Sequence, residues 1–421
     1  MSQDRFVGAE RGRSPILWAA SLVVMAIFGA SASQAQDVRR GASPRDLPRL
    51  GYERRPIRLG PTNVRIDLDL SALYDTNVYA TLRNRTDDIV VYAQPKVQID
   101  WQGANAQIHG EVYAQTRRFV DLTRENATSF GAATSTRLAL SRAHNLSTEL
   151  RYDRTIESRG DPEARASALQ RPRKIDVLAG ELNYGLRGSR IGLDLTGGVQ
   201  KSNYLDPNEK DRDFAMFRGS ARTIWRPAAP LALFVEAYVN RRNFRTAVDI
   251  SGINRDATTY GLLAGVSREV TGRLTGRIGA GAFRFDPDDS QLDRYSGLAF
   301  SGDITWTPRP RTMMTAQFFR GDVATARIGA TGRTDTRIAW TLQQEVRHNL
   351  LLIGRAGWTR TQYRGIGADR LSTASAGVEV EYLVNRRFSL FTGVDYGRRT
   401  SNDPFEEFSR ARLQVGVRAG F

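Results

Sequence analysis

Three histidines and no cysteine are the whole supply of imidazole and thiol in 421 residues. The missing cysteine excludes a thiol nucleophile, a disulfide and a Cys-ligated metal. His109, His144 and His348 are far apart in sequence. A serine hydrolase would need one of them beside a serine. His109 is expected to point inward from a strand, and the other two fall in tight turns. No Gly-x-Ser-x-Gly elbow accompanies them. Carboxylates offer more. Asp67/Asp69 and Glu379/Glu381 are i,i+2 pairs that share one face of an extended chain. Such pairs can do acid/base work, or stand as wall charges opposite arginines of neighbouring strands. The acidic loops at 286–289, 206–209 and 403–407 lack the full ligand spacing of a calcium loop, and turn chemistry accounts for their Asp and Pro. The expectation is a protein that is not an enzyme, with no catalytic residue, metal or cofactor.

The elements that must carry these residues are strands. Val64, Ile66, Leu68, Leu70, Ala72 and Tyr74 alternate with Arg65, Asp67, Asp69 and Ser71. Ile89, Val91, Ala93, Val97, Ile99 and Trp101 alternate with Tyr92, Gln94, Lys96, Gln98 and Asp100. The same period of two runs through 231–240, 337–347 and 410–421. Eighteen such strands are expected, starting near 64, 88, 106, 128, 146, 174, 191, 214, 231, 257, 273, 293, 312, 333, 350, 371, 387 and 409. Pairs of them are joined by tight turns that recur every 37 to 45 residues or so, and longer polar loops separate the pairs. A solenoid or propeller could show such a repeat, but each unit here holds two long strands and no helix.

One face of these strands is apolar enough for lipid. The other carries too many charges to pack dry. Mean hydropathy is −0.43, which excludes several helical spans but not a barrel, whose alternating strands average to a polar value. Backbone groups in lipid must all be paired, so the sheet has to close. The expected fold is therefore all-β: a transmembrane antiparallel up-and-down barrel of about eighteen strands, spanning residues 64–421, around a wet lumen. Candidate lumen-lining residues are Arg137, Arg218, Arg222, Arg277, Arg337, Arg347, Arg355 and Arg412, with Asp67, Asp69, Glu236, Glu345, Glu379 and Glu381. The two signs nearly balance. The inward aromatics Tyr92, Tyr113, Phe234, Tyr238, Phe319, Tyr363 and Phe391 either stack on sugar rings or pack against the wall.

Short turns face the periplasm and long loops the exterior in outer-membrane barrels. Trp101, Trp225 and Trp306 each fall on the apolar face beside a tight turn, where an interfacial girdle belongs. Residues 1–35 have the form of a secretory signal peptide: Arg5, Arg11 and Arg13, then the apolar run Ile16–Ala30, then small residues at Ser33 and Ala35. Residues 36–63 are rich in Arg and Pro and are expected to form a flexible periplasmic lead, either a spacer or a docking arm. The formal charge is +16, with Lys96, Lys174, Lys201 and Lys210 the only lysines. The arginines are spread along the chain, so nucleic acid is not an expected partner.

The chain ends ARLQVGVRAGF, an alternating strand closing on Phe421. This resembles the terminal signature of bacterial outer-membrane barrels, which implies insertion by the barrel-assembly machinery among outer-membrane lipid and lipopolysaccharide. The stretch Tyr74-Asp75-Thr76-Asn77-Val78-Tyr79 resembles the opening of a family of outer-membrane β-barrel porins, type 2, associated with exopolysaccharide secretion. That resemblance implies a passive pore for export of an extracellular or capsular polysaccharide, working with a periplasmic export protein. The alternatives are a diffusion or uptake porin for small solutes, or a barrel used as adhesin or anchor. An open pore of this size would be leaky. The charged loop Arg159–Arg173 is the expected constriction, through pairing of its charges with lumen carboxylates.

Overall fold

The computed structural model describes residues 43–47, 49–164, 171–228, 231–248, 252–271, 273–327, 329–365 and 369–421. The proposed signal peptide lies outside them. The strands are β1 Ile57–Leu59, β2 Thr62–Asp75, β3 Asp88–Gln102, β4 Ala106–Phe119, β5 Ala127–Ala139, β6 His144–Ile156 and β7 Lys174–Arg187. Then come β8 Ile191–Tyr204, β9 Phe214–Ala228, β10 Leu231–Phe244, β11 Ala257–Thr271, β12 Leu274–Pro287 and β13 Tyr295–Arg309. The last are β14 Thr312–Val323, β15 Ala330–Arg347, β16 Leu350–Gly365, β17 Arg370–Leu383, β18 Phe388–Ser401 and β19 Phe408–Gly420. Among the described residues no helix is long and apolar enough to cross a membrane.

Each strand from β2 to β19 pairs antiparallel with the next, and β19 closes on β2 from Arg412↔Asp75 to Gly420↔Asp67. The ring thus has eighteen strands, with β1 a short addition hairpinned onto β2. The register sets like against like. Leu70 stands between Ala93 and Val417, and Asp69 between Gln94 and Arg418. A slip of one residue would carry Asp69 into lipid, so the pattern fixes the pairing. Outward positions such as Val235, Leu262, Ile278 and Val394 are half exposed or more, as side chains facing lipid must be. Inward positions are enclosed by one another.

Two local features follow from single residues. Pro95 sits inside β3 and has no N–H for a ladder. Its pairing to β2 is continuous, but the pairing to β4 lapses between Ala93↔Thr116 and Lys96↔Tyr113 and resumes in the same register. Gln115 donates to the Gln94 side chain at 3.2 Å across the gap. Inward aromatics lie flat over glycines of the next strand. A β-carbon at Gly261 would fall 2.1 Å from the Tyr238 ring, and one at Gly416 would fall 2.5 Å from Phe391.

Candidate functional site

The wall of the lumen is a lattice of ion pairs between strands. Arg222 meets Glu236 at 2.6 Å, Arg277 meets Asp303 at 3.1 Å, and Arg355 meets Glu379 at 3.4 Å. Arg333 and Arg337 both hold Asp335 along β15. Arg412 stands opposite Asp395, Arg218 opposite Asn240, and Arg137 opposite Ser147. Arg347 is exposed at the turn end of β15, opposite Leu350. Guanidinium groups also cap the inward rings: Arg418 over Phe391 at 4.0 Å, Arg222 over Phe234 at 5.5 Å and Arg337 over Phe319 at 5.6 Å. With a glycine beneath and an arginine above, a ring such as Phe391 has no free face. His109 accepts or donates a 2.7 Å bond with Asp100, and His348 lies 3.0 Å from Glu345. Among the described residues no three His, Asp or Glu side chains cluster to hold a metal.

Trp101, Trp225 and Trp306 stand in the final residues of β3, β9 and β13, each on the outward phase before a tight turn. Phe421 follows β19 and exchanges backbone hydrogen bonds with Ile66 at 2.8 and 3.2 Å, which ties the chain end to the start of β2.

At the tight-turn mouth the arginine-rich lead comes back over the wall. Ser43 caps the short 3₁₀ turn Pro44–Asp46 and touches Gln343. Arg45 reaches Glu381 at 2.6 Å, Arg49 reaches Glu345 at 3.1 Å, and Arg54 reaches Asp67 at 2.5 Å. Glu381 also receives Arg418 at 2.9 Å and the Ser389 hydroxyl at 2.7 Å. Arg418 completes the group with Glu379 at 2.9 Å and Asp69 at 3.5 Å. Five of the six candidate wall carboxylates thus belong to one cluster or its immediate edge, and the lead supplies three of its counter-charges.

At the long-loop mouth the segment Glu157–Ala164, after β6, folds inward. Asp161 N–H donates to Ser158 O at 2.9 Å and Ala164 N–H to Asp161 O at 3.0 Å, two turns that compact the segment. Glu163 then accepts from Arg333 at 2.8 Å, Tyr363 at 3.1 Å, Thr325 at 3.1 Å and the Ala326 N–H at 2.8 Å. Tyr363 shares its one hydroxyl proton between Glu163 and Pro162 O, the latter at 3.0 Å, and Arg399 donates to Gly160 O at 2.5 Å. Arg333 and Tyr363 are on β15 and β16, which lie nine strands from β6 and β7 in the ring of eighteen. The segment therefore crosses the lumen from wall to opposite wall. Its root is held by Arg212, fully buried, which binds Glu157 at 2.5 Å, Glu209 at 3.2 Å and Glu163 O at 2.8 Å while covering the Tyr204 ring at 4.1 Å. Arg159 ties the segment sideways to Glu125 at 2.5 Å. Enclosure in this mouth pushes the Asp161 carboxyl up to about 6.

The polarity of this crossing inverts the sequence-based picture. There the loop arginines were to seek lumen carboxylates, whereas the principal contact is a loop carboxylate, Glu163, on a wall arginine, Arg333. Arg333 and Arg399 were legible as inward by phase, being four residues from Arg337 and from Asp395. Glu157, Arg212 and Glu125 were not, because they sit in connections where no period applies. Residues 165–170 of the Arg159–Arg173 loop lie outside the described residues.

A closed antiparallel ring, apolar outside and charged inside, with chain segments drawn into each mouth, is an outer-membrane pore barrel. The comparison with family models makes this particular: residues 51–421 match the family described as "Putative beta-barrel porin 2", and the chain belongs to it. It is a porin-like protein of the outer membrane. No curated protein sequence matches it. Similar solved structures include the outer membrane protein OpdK of Pseudomonas aeruginosa, at 10% identity and TM-score 0.44 over 85% of this chain and 99% of that one. OccK2 (OpdF) of the same organism gives 11% and 0.45 over 86% and 98%, and its siderophore receptor PirA gives 8% and 0.43 over 87% and 81%.

Proposed function

We propose that this barrel is a normally obstructed passive channel whose cargo is an extracellular polysaccharide on its way out of the cell, handed over by a periplasmic export protein. The observation that supports obstruction is the crossing of the lumen by Glu157–Ala164, fixed on the far wall by Glu163 with Arg333 and Tyr363. A channel for a large hydrophilic chain needs a wide lumen and a means of closing it when idle. Eighteen strands supply the width and the crossing segment supplies the closure. The mixed-sign wall suits a hydrated cargo without strong charge selection.

A second reading, diffusion of small hydrophilic solutes, is favoured by the inward rings. Phe391, Phe234 and Phe319 are capped by arginines, so they form no open stacking track for sugars. Deleting the gene separates the two. The export reading expects surface polysaccharide to fall while uptake of small solutes is unchanged. Unchanged polysaccharide with reduced solute uptake overturns it.

A further inference from the structure

The lead before the barrel does more than join it to whatever precedes it. Its described part runs from Ser43 toward β2, yet its side chains are bound on β15 and β17. Counted the short way round the closed ring, β15 is five strands from β2. The segment therefore sits inside the tight-turn mouth, over the arc of wall from β15 round to β2, and not only beside its own strand. Arg49 is buried there, donating to Glu345 and to the backbone oxygens of Pro44 and Arg45, which fold the segment into a compact knot. Arg45 shares Glu381 with Arg418 of the wall.

The attachment is chiefly polar. Leu50 is 88% exposed and Leu59 62%, and of the described apolar side chains only Pro44 is buried, with Leu47 and Tyr52 half-buried. The three-residue β1 pairs only with β2. A segment held mainly by hydrogen bonds and ion pairs, with little apolar burial, can be released: water and competing ions can replace each polar contact it loses. Its arginines also answer a need of the wall. Glu345, Glu381 and Asp67 all point into the mouth, and without Arg45, Arg49 and Arg54 they would face one another with fewer cations among them.

We infer that residues 43–59 are a self-inhibitory seal of the periplasmic mouth, seated by Arg45 on Glu381 and Arg49 on Glu345, and that the channel conducts fully only when this segment is lifted from the carboxylates. The seal is separate from the crossing at the outer mouth. It rests on the barrel being a pore and not on the identity of the cargo, so it stands or falls apart from the polysaccharide reading.

The test uses the whole mature chain in planar bilayers. Arg45→Gln with Arg49→Gln removes both charge-assisted contacts and leaves the barrel strands untouched. Seal occupancy should drop roughly tenfold or more, read as a matching rise in the fraction of time spent in the higher-conductance state. Because the chain has no cysteine, Ser43→Cys with Gln343→Cys can be added to the same variant and joined by a short bis-methanethiosulfonate, which forms a disulfide with each thiol and releases methanesulfinate. Cross-linking should return the conductance to the low level, and reductant acting on a cleavable linker should raise it again. A double-Gln variant that conducts like the wild type, while showing the gel mobility of a folded barrel, overturns the proposal. So does a raised conductance that cross-linking leaves unchanged.

Discussion

The two mouths of this barrel are obstructed by different means. The outer one is crossed by a segment that ends on the opposite wall and is rooted in a fully buried arginine. Glu163 alone accepts from two side chains of the far wall and from the 325–326 loop. The inner one is covered by a knot tied to one arc of the wall by three ion pairs, Arg45–Glu381 and Arg49–Glu345 enclosed and Arg54–Asp67 near water, with Leu50 and Leu59 left in solvent. Buried, multiply bonded charges are costly to separate because each partner would be left without compensation. The knot has fewer such pairs than the crossing, and its Arg54–Asp67 pair lies near water, where it is weakly held and screened by salt. The difference teaches that position in the lumen is not the same as strength of closure: the outer crossing is built as part of the wall, and the inner seal is laid on it.

The largest expected effect is on the outer side. Deleting residues 160–172 removes Glu163 and the backbone that spans the lumen, and should raise single-channel conductance severalfold. Conductance equal to wild type in a barrel of normal gel mobility would show that the crossing is not the constriction. A smaller effect should sort the two mouths by salt. Between about 0.1 and 1 M salt, where the screening length falls from ~10 to ~3 Å, trypsin should begin to cut at Arg54 and Arg58. The root at Glu157 and Arg212 should stay uncut over the same range, as read by mass spectrometry of the fragments. Equal cutting at both sites would abolish the distinction.

The smallest effect is on pH. Enclosure raises the Asp161 carboxyl to about 6, above the ordinary value of roughly 3.9 for a free loop. The inserted state thus binds this proton more tightly than the withdrawn one. Acidification from pH 7 to 5 should favour insertion and lower the conducting fraction. As pH rises through 6 that contribution is lost. Asp161→Asn, which stays neutral, should flatten the response over this window. A wild-type conducting fraction that rises toward pH 5 would contradict the sign.

The barrel itself was almost wholly legible. All eighteen strand starts fall within three residues of their expected places, because alternation forced by lipid on one side and water on the other leaves little freedom. Even Pro95, which argues against a central strand, left the Ile89–Trp101 pattern readable. What fills the lumen was less legible. The period of two says which way Glu345 and Glu381 point but not what meets them, and their partners Arg49 and Arg45 lie in a lead with no period at all. Asp161 and Glu163 could be flagged as charges in a long loop, yet nothing local says that one reaches Arg333 nine strands away. Such pairings depend on closure of the ring, a property of the whole chain.

The outer crossing has a mechanical side as well. A closed ring of strands deforms most readily by flattening into an oval, and a chord tied across it resists that mode. Glu163 on Arg333 and Pro162 on Tyr363 join the two sides of the ring. Withdrawing the segment must therefore also soften the ring, so that the barrel without its chord is the more compliant one.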